Sequence, residues 1–454
     1  MERTQTIKDL VILFLIASFV LLWNLGTGSL TSWDEAVYAQ VAREILISNN
    51  WIDLTRMGSP WNDKPPLCMW MTAVFYMLFG VSEFSARFFS SLCGIGTIMV
   101  TYLFAKKLYS RKAAFVAALM LLSTQHFIWS AKVGMLDSTL TFFTILSLFF
   151  LKKSEDKKIY LIFSLLAFAC AFLTKGVAAL TIPLVGFLYL LLTKKITAIK
   201  EPIFLIGVAF CLIILIWWHW LVFSHYGKSF LQGYFTTHFF NRTTSALDGH
   251  TGSIFTYFKV LPNKGRPWGV FMLIAFFAAT WQLFRNKEKG HIFPFLWAAS
   301  IFVVASIVKT KLHWYIIPIY PALAILLGWG LCALFKKRAI LIAVILAASG
   351  LFYLSSVKGV FNLDYTPETK KIAALARHKI PEGEEIFLYQ VADPAAWFYF
   401  SPGGRNIPTE AELKNLLIQR DKYIVFENNT FRNFSSDGLA VLVENSDFTV
   451  VQTK

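Results

Sequence analysis

The sequence predicts a polytopic α-helical membrane protein that ends in a small α/β domain outside the cytoplasm. Apolar residues make up 56% of the 454 positions, more than a water-soluble chain of this length needs for its core. Apolar runs of near-spanning length recur up to residue 357. Beyond that point eleven Lys and Arg stand against thirteen Asp and Glu, a net charge of −2, whereas the whole chain carries +16.

Eleven apolar runs are predicted to cross the membrane, although several are shorter than the usual ~20 residues. They lie at 8–25, 86–105, 113–130, 139–151, 159–174, 177–193, 203–224, 268–284, 292–308, 314–335 and 339–357. If the N-terminus is cytoplasmic, alternating spans put every short basic loop on the cytoplasmic side, as the positive-inside rule requires. The basic excess then follows from topology, so no nucleic-acid partner is expected. Residues 1–357 form the predicted membrane domain, with 26–85 and 225–267 as its long external loops.

Residues 67–80 are apolar but are not predicted to cross. The run has about fourteen residues, which is short for a span. Counting it as a crossing would also move every later basic loop to the outside. Pro65 and Pro66 suit the first turn of a helix. We therefore predict a surface-lying or re-entrant helix within the first external loop.

Residues 358–454 alternate between helical and strand-like patterns. Amphipathic helices are predicted over 366–379 and 408–420. Strands are predicted over 385–391, 422–427 and 448–453. Roughly ninety residues are enough for a modest core, so this segment is predicted to be a separate α/β domain.

Charged and polar residues mark the predicted external loops. The first of these loops opens with Asp34 and Glu35 and closes with Asp63 and Lys64. Others stand at the outer ends of later spans or in the second long loop: Asp137, Lys175, His238, Arg242, Lys311 and Tyr315. An ionisable residue at membrane depth is costly and by default indicates function. We expect these acids and bases to converge at the outer leaflet.

Such a set of residues suits a substrate with an anionic head and a lipid tail. Lysine binds phosphate as a point charge, and arginine binds it in bidentate fashion. A carboxylate nearby takes a proton from an acceptor hydroxyl. Since nucleotide sugars are absent outside the cytoplasm, a sugar donor used there must be activated by a lipid phosphate. One base and a set of cations would therefore suffice for a donor whose leaving group is a lipid phosphate.

Several motifs resemble those of the type-C glycosyltransferases. One is Asp-Glu-x-x-Tyr-x-x-x-x-Arg-Glu, which begins at Asp34, and another is an acid-Lys-Pro-Pro-Leu block, which begins at Asp63. A Gly-Val-Ser-Glu-x-x-x-Arg stretch ending at Arg87 and a Leu-Thr-Lys-Gly turn around Lys175 continue the likeness. The sequence is most similar to the bacterial branch related to aminoarabinose transferases and dolichyl-phosphate-mannose protein mannosyltransferases.

This resemblance implies a type-C glycosyltransferase fold in the bacterial inner membrane and a polyprenyl-phosphate donor, such as an undecaprenyl phosphate sugar. Transfer then takes place at the outer face, with inversion at the anomeric carbon. Lipid A, another envelope glycan and a protein hydroxyl remain open as acceptors.

The resemblance also implies roles for individual residues. Asp34 is the leading catalytic carboxylate, Asp137 supports it, and Glu35 stands beside it. Lys64 and Lys175 face the donor phosphate. Three further residues complete the predicted phosphate set because of their external positions: Arg242, Lys311 and Tyr315.

Plainer interpretations stay open for these residues. Asp34 and Glu35 also fit the N-terminal cap of the amphipathic helix that follows them. Asp137 fits the cap of the next span. Lys64 and Lys175 fit boundary lysines whose ammonium groups reach the interface.

A bound metal and a different class of protein are further alternatives. Asp63 and His238 are candidate ligands for a divalent metal ion, although one acid and one histidine make a small ligand set. Asp63 also replaces the Glu that is common in the aminoarabinose branch. The second class is a transporter or flippase of a lipid-linked anion. Transporters usually carry their charges near the midplane between internal repeats, and this chain shows neither feature.

Overall fold

The computed structural model describes residues 2–234, 236, 245, 249–286, 288–400, 405–432, 434 and 438–454. The chain divides into two units by its internal contacts. The helical unit comprises Met1–Trp23, Asp63–Leu67 and Phe88–Phe361. The sheet unit comprises Asn24–Asn62, Cys68–Arg87 and Asn362–Lys454, so the C-terminal residues share a unit with most of the first predicted external loop. The predicted domain boundary at residue 357 stays a prediction.

Helices occupy every predicted apolar run. In chain order they are α1 (Glu2–Leu22), α2 (Asp34–Ser48), α3 (Leu67–Phe79), α4 (Glu83–Leu108), α5 (Arg111–Leu122), α6 (Gln125–Lys132), α7 (Leu136–Lys153), α8 (Tyr160–Lys175), α9 (Thr181–Leu192), α10 (Pro202–Tyr226), α11 (Lys228–Leu231), α12 (Thr256–Lys264), α13 (Gly269–Arg285), α14 (Ile292–Ile307), α15 (Tyr320–Phe335), α16 (Ala339–Ser355), α17 (Pro367–Lys379), α18 (Pro394–Phe400), α19 (Glu410–Leu417) and α20 (Asn428–Phe431). The helical prediction for these runs, including 67–80 on α3, is confirmed.

Six helical runs among the described residues are long and apolar enough to cross a membrane, and the bent pair α5–α6 makes a seventh. This pair turns by 66°, and α3 and α13 are shorter apolar helices. The chain is therefore a multi-pass integral membrane protein with a polytopic helical fold. The predicted number of eleven spans is larger because it divides two of these runs, Tyr160–Leu192 and His313–Ser355, and adds α7 and α13.

Both long runs are broken by a residue with positive φ. Gly176 has φ 56° and ψ −127°, and Lys336 has φ 48° and ψ −113°. The helices on either side of Lys336, α15 and α16, both contact α5. The helix α5 has twelve residues and is only ~18 Å long. The run His313–Ser355 has 43 residues, so if it were straight its two halves could not both pack on α5. The chain folds back at Lys336, and α8 and α9 likewise both contact α7.

Small residues and buried polar caps hold the helical unit together. At the contact of α5 with α15, a Cβ on Gly328 would lie 2.6 Å from the carbonyl oxygen of Ala113, so only glycine allows this approach. Lys132 is fully buried, and its ammonium donates to the carbonyl of Trp23 at 2.6 Å. This bond satisfies a backbone acceptor that the end of α1 would otherwise leave open.

The sheet unit contains a hairpin and a five-stranded mixed sheet. The hairpin pairs β1 (Thr55–Arg56) with β2 (Ser59–Pro60). The sheet has the order β4-β3-β5-β7-β6, in which β3 runs parallel to β4 and β5, and β7 runs antiparallel to β5 and β6. Its strands are β3 (Ile386–Tyr389), β4 (Arg405–Ile407), β5 (Tyr423–Glu427), β6 (Leu439–Glu444) and β7 (Phe448–Thr453).

The predicted small α/β fold of the C-terminal residues is confirmed. The three predicted strands are β3, β5 and β7, and the two predicted helices are α17 and α19. The structure adds β4, β6, α18 and α20 to them. Phe387, Ile424, Phe426 and Val451 belong to the small core that this sheet buries.

Candidate active site

A cavity of about 190 Å³ in the helical unit brings together four of the predicted site residues. Lys64, Asp137, Lys175 and Tyr315 supply most of its polar lining. Most of the remaining lining is hydrocarbon, including Leu140, Val177, Ala178, Ile301, Val304 and Val308. The cavity therefore combines charged groups with an apolar wall.

Asp137 and Lys175 form an ion pair in this cavity. The Lys175 Nζ lies 2.6 Å from the Asp137 Oδ1, and the two side chains are 12% and 2% exposed. Asp137 stands in the first turn of α7, and Lys175 is the last residue of α8. An acid at a helix N-terminus and a cation at a C-terminus are both favoured by the helix dipole. The two helix ends thus stabilise the charges that they bring together.

The turn after Lys175 lies close to Tyr234 and to Pro65, the residue that follows Lys64. Gly176 has φ +56°, which a residue with a side chain rarely adopts. A Cβ at this position would lie 2.6 Å from the hydroxyl oxygen of Tyr234 and 3.8 Å from the ring of Pro65. Glycine therefore permits the close approach of the Tyr234 hydroxyl, whereas Pro65, which directly follows Lys64, lies at an ordinary van der Waals distance.

Tyr315 lies in the 3₁₀ segment His313–Ile319, and its ring centroid is 5.5 Å from the Lys175 Nζ. His126 is hydrogen-bonded to the first residue of this segment and to the residue that follows its end. Its Nε2 lies 2.9 Å from the Nδ1 of His313, and its Nδ1 lies 2.9 Å from the Tyr320 hydroxyl oxygen. The imidazole is 2% exposed. His126 therefore contacts the segment that presents Tyr315 to the cavity.

Lys311 follows the end of α14, and its ammonium donates to backbone carbonyls at that helix end. The acceptors are the oxygens of Ala305 at 3.1 Å and Ser306 at 2.6 Å, together with that of Val308. Burial, and then the nearby Lys309 ammonium, lower the pKa of Lys311 below its ordinary value. These contacts describe a helix cap, and the role of Lys311 at a donor phosphate stays a prediction.

The predicted Asp34–Glu35 pair lies in the sheet unit, and its two residues have different environments. Glu35 is buried, and its Oε1 lies 2.7 Å from the Arg87 Nε. The Glu35 Oε2 accepts the backbone N–H of Thr31 at 2.6 Å. Arg87 also donates to the carbonyl of Ser29 at 2.8 Å. These contacts give Glu35 a structural role, and its participation in catalysis stays a prediction.

Asp34 is half-buried and is the first residue of α2. The residue before it, Trp33, has φ 70° and ψ −125°, a region that is populated almost only by glycine. The Trp33 side chain makes no cap for the helix and is 69% exposed. Strained backbone of this kind is concentrated at functional sites, and here it directly precedes the leading candidate carboxylate.

The predicted metal ligands are only partly described. The Lys64 ammonium donates to the backbone carbonyl of Asp63 at 3.1 Å. His238 and Arg242 lie outside the described residues. Within the described parts of the chain, no group of three or more His, Cys, Asp or Glu is arranged to hold a metal ion. A metal at Asp63 and His238 therefore stays a prediction.

Two residues of these environments were not assigned a role from the sequence. Arg87 ends a recognised motif, but its partner Glu35 is 52 positions away. His126 is a single histidine in an apolar run, and its two partners follow 187 and 194 positions later. No local spacing connects such residues, so only the folded structure shows their contacts.

Comparisons with known proteins agree with the fold. The family described as dolichyl-phosphate-mannose-protein mannosyltransferase matches residues 63–220, the range that contains Lys64, Asp137 and Lys175. The undecaprenyl phosphate-alpha-4-amino-4-deoxy-L-arabinose arabinosyl transferase 2 of Pseudomonas fluorescens is 31% identical over 327 residues, which are 70% of this chain and 59% of that protein. A protein of unassigned function from Aquifex aeolicus is 26% identical over 444 residues, 97% of both chains.

The structure of ArnT from Cupriavidus metallidurans, bound to undecaprenyl phosphate, has the same fold. The TM-score is 0.80 at 22% identity, and the match covers 97% of each chain. The chain spans about 60% of the length of several curated arabinosyl transferases that it matches. It belongs to the type-C glycosyltransferases of the aminoarabinose transferase and protein mannosyltransferase family.

Proposed function

We propose that this chain transfers a sugar from a polyprenyl-phosphate donor to an acceptor on the outer side of the bacterial inner membrane. The cavity of the helical unit is the observation that carries this proposal. Its lysines suit a phosphate, and its hydrocarbon wall suits the first isoprene units of a lipid tail. Relatives that use or bind undecaprenyl phosphate support the same donor.

The charges of the cavity suit a phosphate leaving group. Two ammonium groups, from Lys64 and Lys175, and one carboxylate, from Asp137, give this set a net charge of +1. A phosphate that binds there shares the Lys175 ammonium with Asp137. The negative charge that develops on the phosphate during transfer is then met by groups already in place. We assign Arg242 and Lys311 to the same function, with Tyr315 beside Lys175.

The proposed reaction is a single displacement with inversion. The acceptor hydroxyl gives its proton to the Asp34 carboxylate while its oxygen attacks the anomeric carbon. The bond between that carbon and the phosphate oxygen breaks, and its electron pair leaves with the polyprenyl phosphate. Asp137 keeps the Lys175 ammonium oriented. The acceptor is lipid A, another envelope glycan or a protein hydroxyl.

The proposed topology has eleven crossings. They are α1, α4, the pair α5–α6, α7, α8, α9, α10, α13, α14, α15 and α16. The fold-back of the chain between α8 and α9 and between α15 and α16 supports counting two crossings in each long run. The N-terminus is then cytoplasmic, residues 358–454 are periplasmic, and α3 lies at the surface or is re-entrant.

The test uses purified wild-type protein, an Asp34→Asn variant and an Asp53→Asn control. Asp53 belongs to the same loop and accepts a hydrogen bond from Asn50 at 3.1 Å, so it matches Asp34 in charge and chain region. Each protein is incubated with total polyprenyl-phosphate sugars and envelope acceptors, and acceptor masses are measured. We expect a one-sugar mass shift with wild type and the control, and none with Asp34→Asn.

Binding of the donor lipid gives the second measurement. Asp34→Asn is expected to bind polyprenyl phosphate with the wild-type Kd, because the lysines of the cavity are unchanged. A wild-type protein that binds this lipid but shifts no acceptor, and instead moves labelled lipid across proteoliposomes, would favour the transporter alternative.

A further inference from the structure

The backbone just before Asp34 is hydrogen-bonded to the C-terminal part of the sheet unit. The Ser29 hydroxyl donates to the Asp364 carboxylate at 2.7 Å and accepts the Thr366 N–H at 2.6 Å. The Leu30 N–H donates to the Tyr399 hydroxyl oxygen at 2.8 Å, and the Thr366 hydroxyl donates to the Leu30 carbonyl at 2.9 Å. Both residues are thus fixed by side chains that follow them by more than 330 positions.

Neighbouring residues are held in the same way. The Ser32 hydroxyl donates to the Asp393 carboxylate at 2.5 Å, and the Lys370 ammonium donates to the Gly28 carbonyl at 2.7 Å. Gly28 has φ +81°, and a Cβ there would lie 2.7 Å from the backbone nitrogen of Asp364. Glycine is therefore required where these two backbone segments meet.

Two further contacts extend this network into α2. The Thr31 N–H is bound by Glu35 in the first turn of the helix. Arg43, further along α2, donates to the Phe398 carbonyl at 2.7 Å, and its guanidinium lies 4.1 Å from the Phe398 ring centroid. Every residue from 28 to 32 therefore has a hydrogen bond within the sheet unit, and α2 itself contacts α18.

We propose that the C-terminal part of the sheet unit is a positioning element for Asp34, an inference that rests on the proposed function. A loop that carries a catalytic group is ordinarily mobile. A displacement of about 1 Å at a catalytic group can lower a rate by on the order of 100-fold. The bonds from Asp364, Thr366, Asp393 and Tyr399 fix the loop that leads into Asp34. The C-terminal residues thereby set the turnover rate without touching the substrate.

Two substitutions remove single contacts of this network in the full-length protein. Ser32→Ala removes the bond to Asp393 and leaves the other side chains in place. Tyr399→Phe removes the acceptor for the Leu30 N–H, together with the bond that the hydroxyl donates to Glu83 at 3.0 Å, and keeps the aromatic ring. We expect each variant to lower kcat by about tenfold while the Kd for polyprenyl phosphate stays unchanged, because the phosphate cavity belongs to the helical unit.

Two controls separate positioning from loss of stability. Asp393→Asn keeps a carbonyl oxygen that accepts from Ser32 and from the Ala395 N–H, so its kcat is expected to remain close to wild type. Thr409→Ala removes the N-cap of α19, a bond within the same helix. It is expected to lower the melting temperature without changing kcat.

The inference is overturned if Ser32→Ala and Tyr399→Phe keep the wild-type kcat, or if Thr409→Ala lowers kcat as much as they do. Hydrogen exchange of the amides of residues 30–37 provides a readout that needs no turnover. Faster exchange is expected in Ser32→Ala and Tyr399→Phe but not in Thr409→Ala. If wild type transfers no sugar, the proposed function fails, and unchanged exchange in both variants then overturns the positioning inference separately.

Discussion

Lys175 and Asp34 are held in place by two different kinds of structure. Lys175 ends a helix of the helical unit and pairs with Asp137 at the start of another helix, within an apolar surrounding. Asp34 follows a loop of the sheet unit in which Ser29, Leu30 and Ser32 are hydrogen-bonded to C-terminal residues. Charge and packing therefore determine the position of Lys175, and hydrogen bonds to the preceding backbone determine the position of Asp34. Substitutions in the helical unit should mainly change donor binding, whereas those in the sheet unit should mainly change kcat.

The largest effect is expected from breaking the Asp137–Lys175 pair. Asp137→Leu leaves the mostly buried Lys175 ammonium without this carboxylate, and breaking a buried pair costs about 3–5 kcal/mol. We expect a clear fall in melting temperature. The combined Asp137→Leu and Lys175→Met variant should recover most of the stability, since neither charge of the pair remains. Its polyprenyl-phosphate Kd should rise on the order of 100-fold, because the cavity has lost one of its two lysine ammonium groups. A double variant that binds the donor as tightly as wild type would show that Lys175 has no part in binding.

A smaller effect is expected from Gly176→Ala. The new Cβ would lie 2.6 Å from the Tyr234 hydroxyl oxygen, in a backbone conformation that alanine disfavours, so either the Tyr234 side chain or the turn that follows Lys175 must shift. Donor Kd is expected to rise about tenfold. Gly227→Ala is a matched control, because Gly227 has nearly the same φ and ψ, 53° and −129°, but no atom within 4 Å of its Cβ position. Equal effects in both variants would mean that backbone strain, and not the contact with Tyr234, is responsible.

His126→Phe tests whether the segment that carries Tyr315 must be held at both ends. Phenylalanine fills the space of the imidazole but makes neither the bond to His313 nor the bond to Tyr320. We expect the KM for the donor to rise about fivefold with little change in kcat.

His291→Phe provides the control for this substitution. His291 is equally buried and also has two partners, Tyr109 at 2.7 Å and Glu288 at 3.1 Å, but neither partner belongs to the segment that carries Tyr315. Its loss should lower the melting temperature and leave KM unchanged. A rise in KM with His291→Phe as well would assign the effect to general loosening of the helices.

The same contrast explains how much the sequence can predict. Hydropathy and charge are local properties, so each predicted apolar run is found on helices, and the strands β3, β5 and β7 follow from alternation over a few residues. Lys64, Asp137 and Lys175 stand in short motifs or at span ends, and the structure brings them to one cavity. The sequence also ends one apolar run and begins the next on either side of residues 175–176 and 336–338, where Gly176 and Lys336 have positive φ.

Contacts across long chain distances could not be predicted from sequence. Ser29, Leu30 and Ser32 look like ordinary loop residues, and their partners follow more than 330 positions later. The charge and external position of Lys311 predict that it binds the donor phosphate. In the structure its ammonium donates to the backbone carbonyls at the end of α14. The residue type indicates which interactions a side chain can make, and the folded structure determines which of them it makes.

The smallest effect is expected from Trp33→Gly, and its direction is informative. Glycine adopts φ 70° without penalty, so the substitution should stabilise the protein by about 1 kcal/mol, measured as a rise in melting temperature. Because glycine also gives the backbone more freedom directly before Asp34, kcat should fall a few-fold. Asn49→Gly, at φ 53° after α2, is the control and should change neither property much, since asparagine tolerates this conformation. A Trp33→Gly variant that is more stable and fully active would show that the strain at Trp33 has no role in catalysis. The hydrogen bonds of residues 28–32 alone would then hold the loop in place.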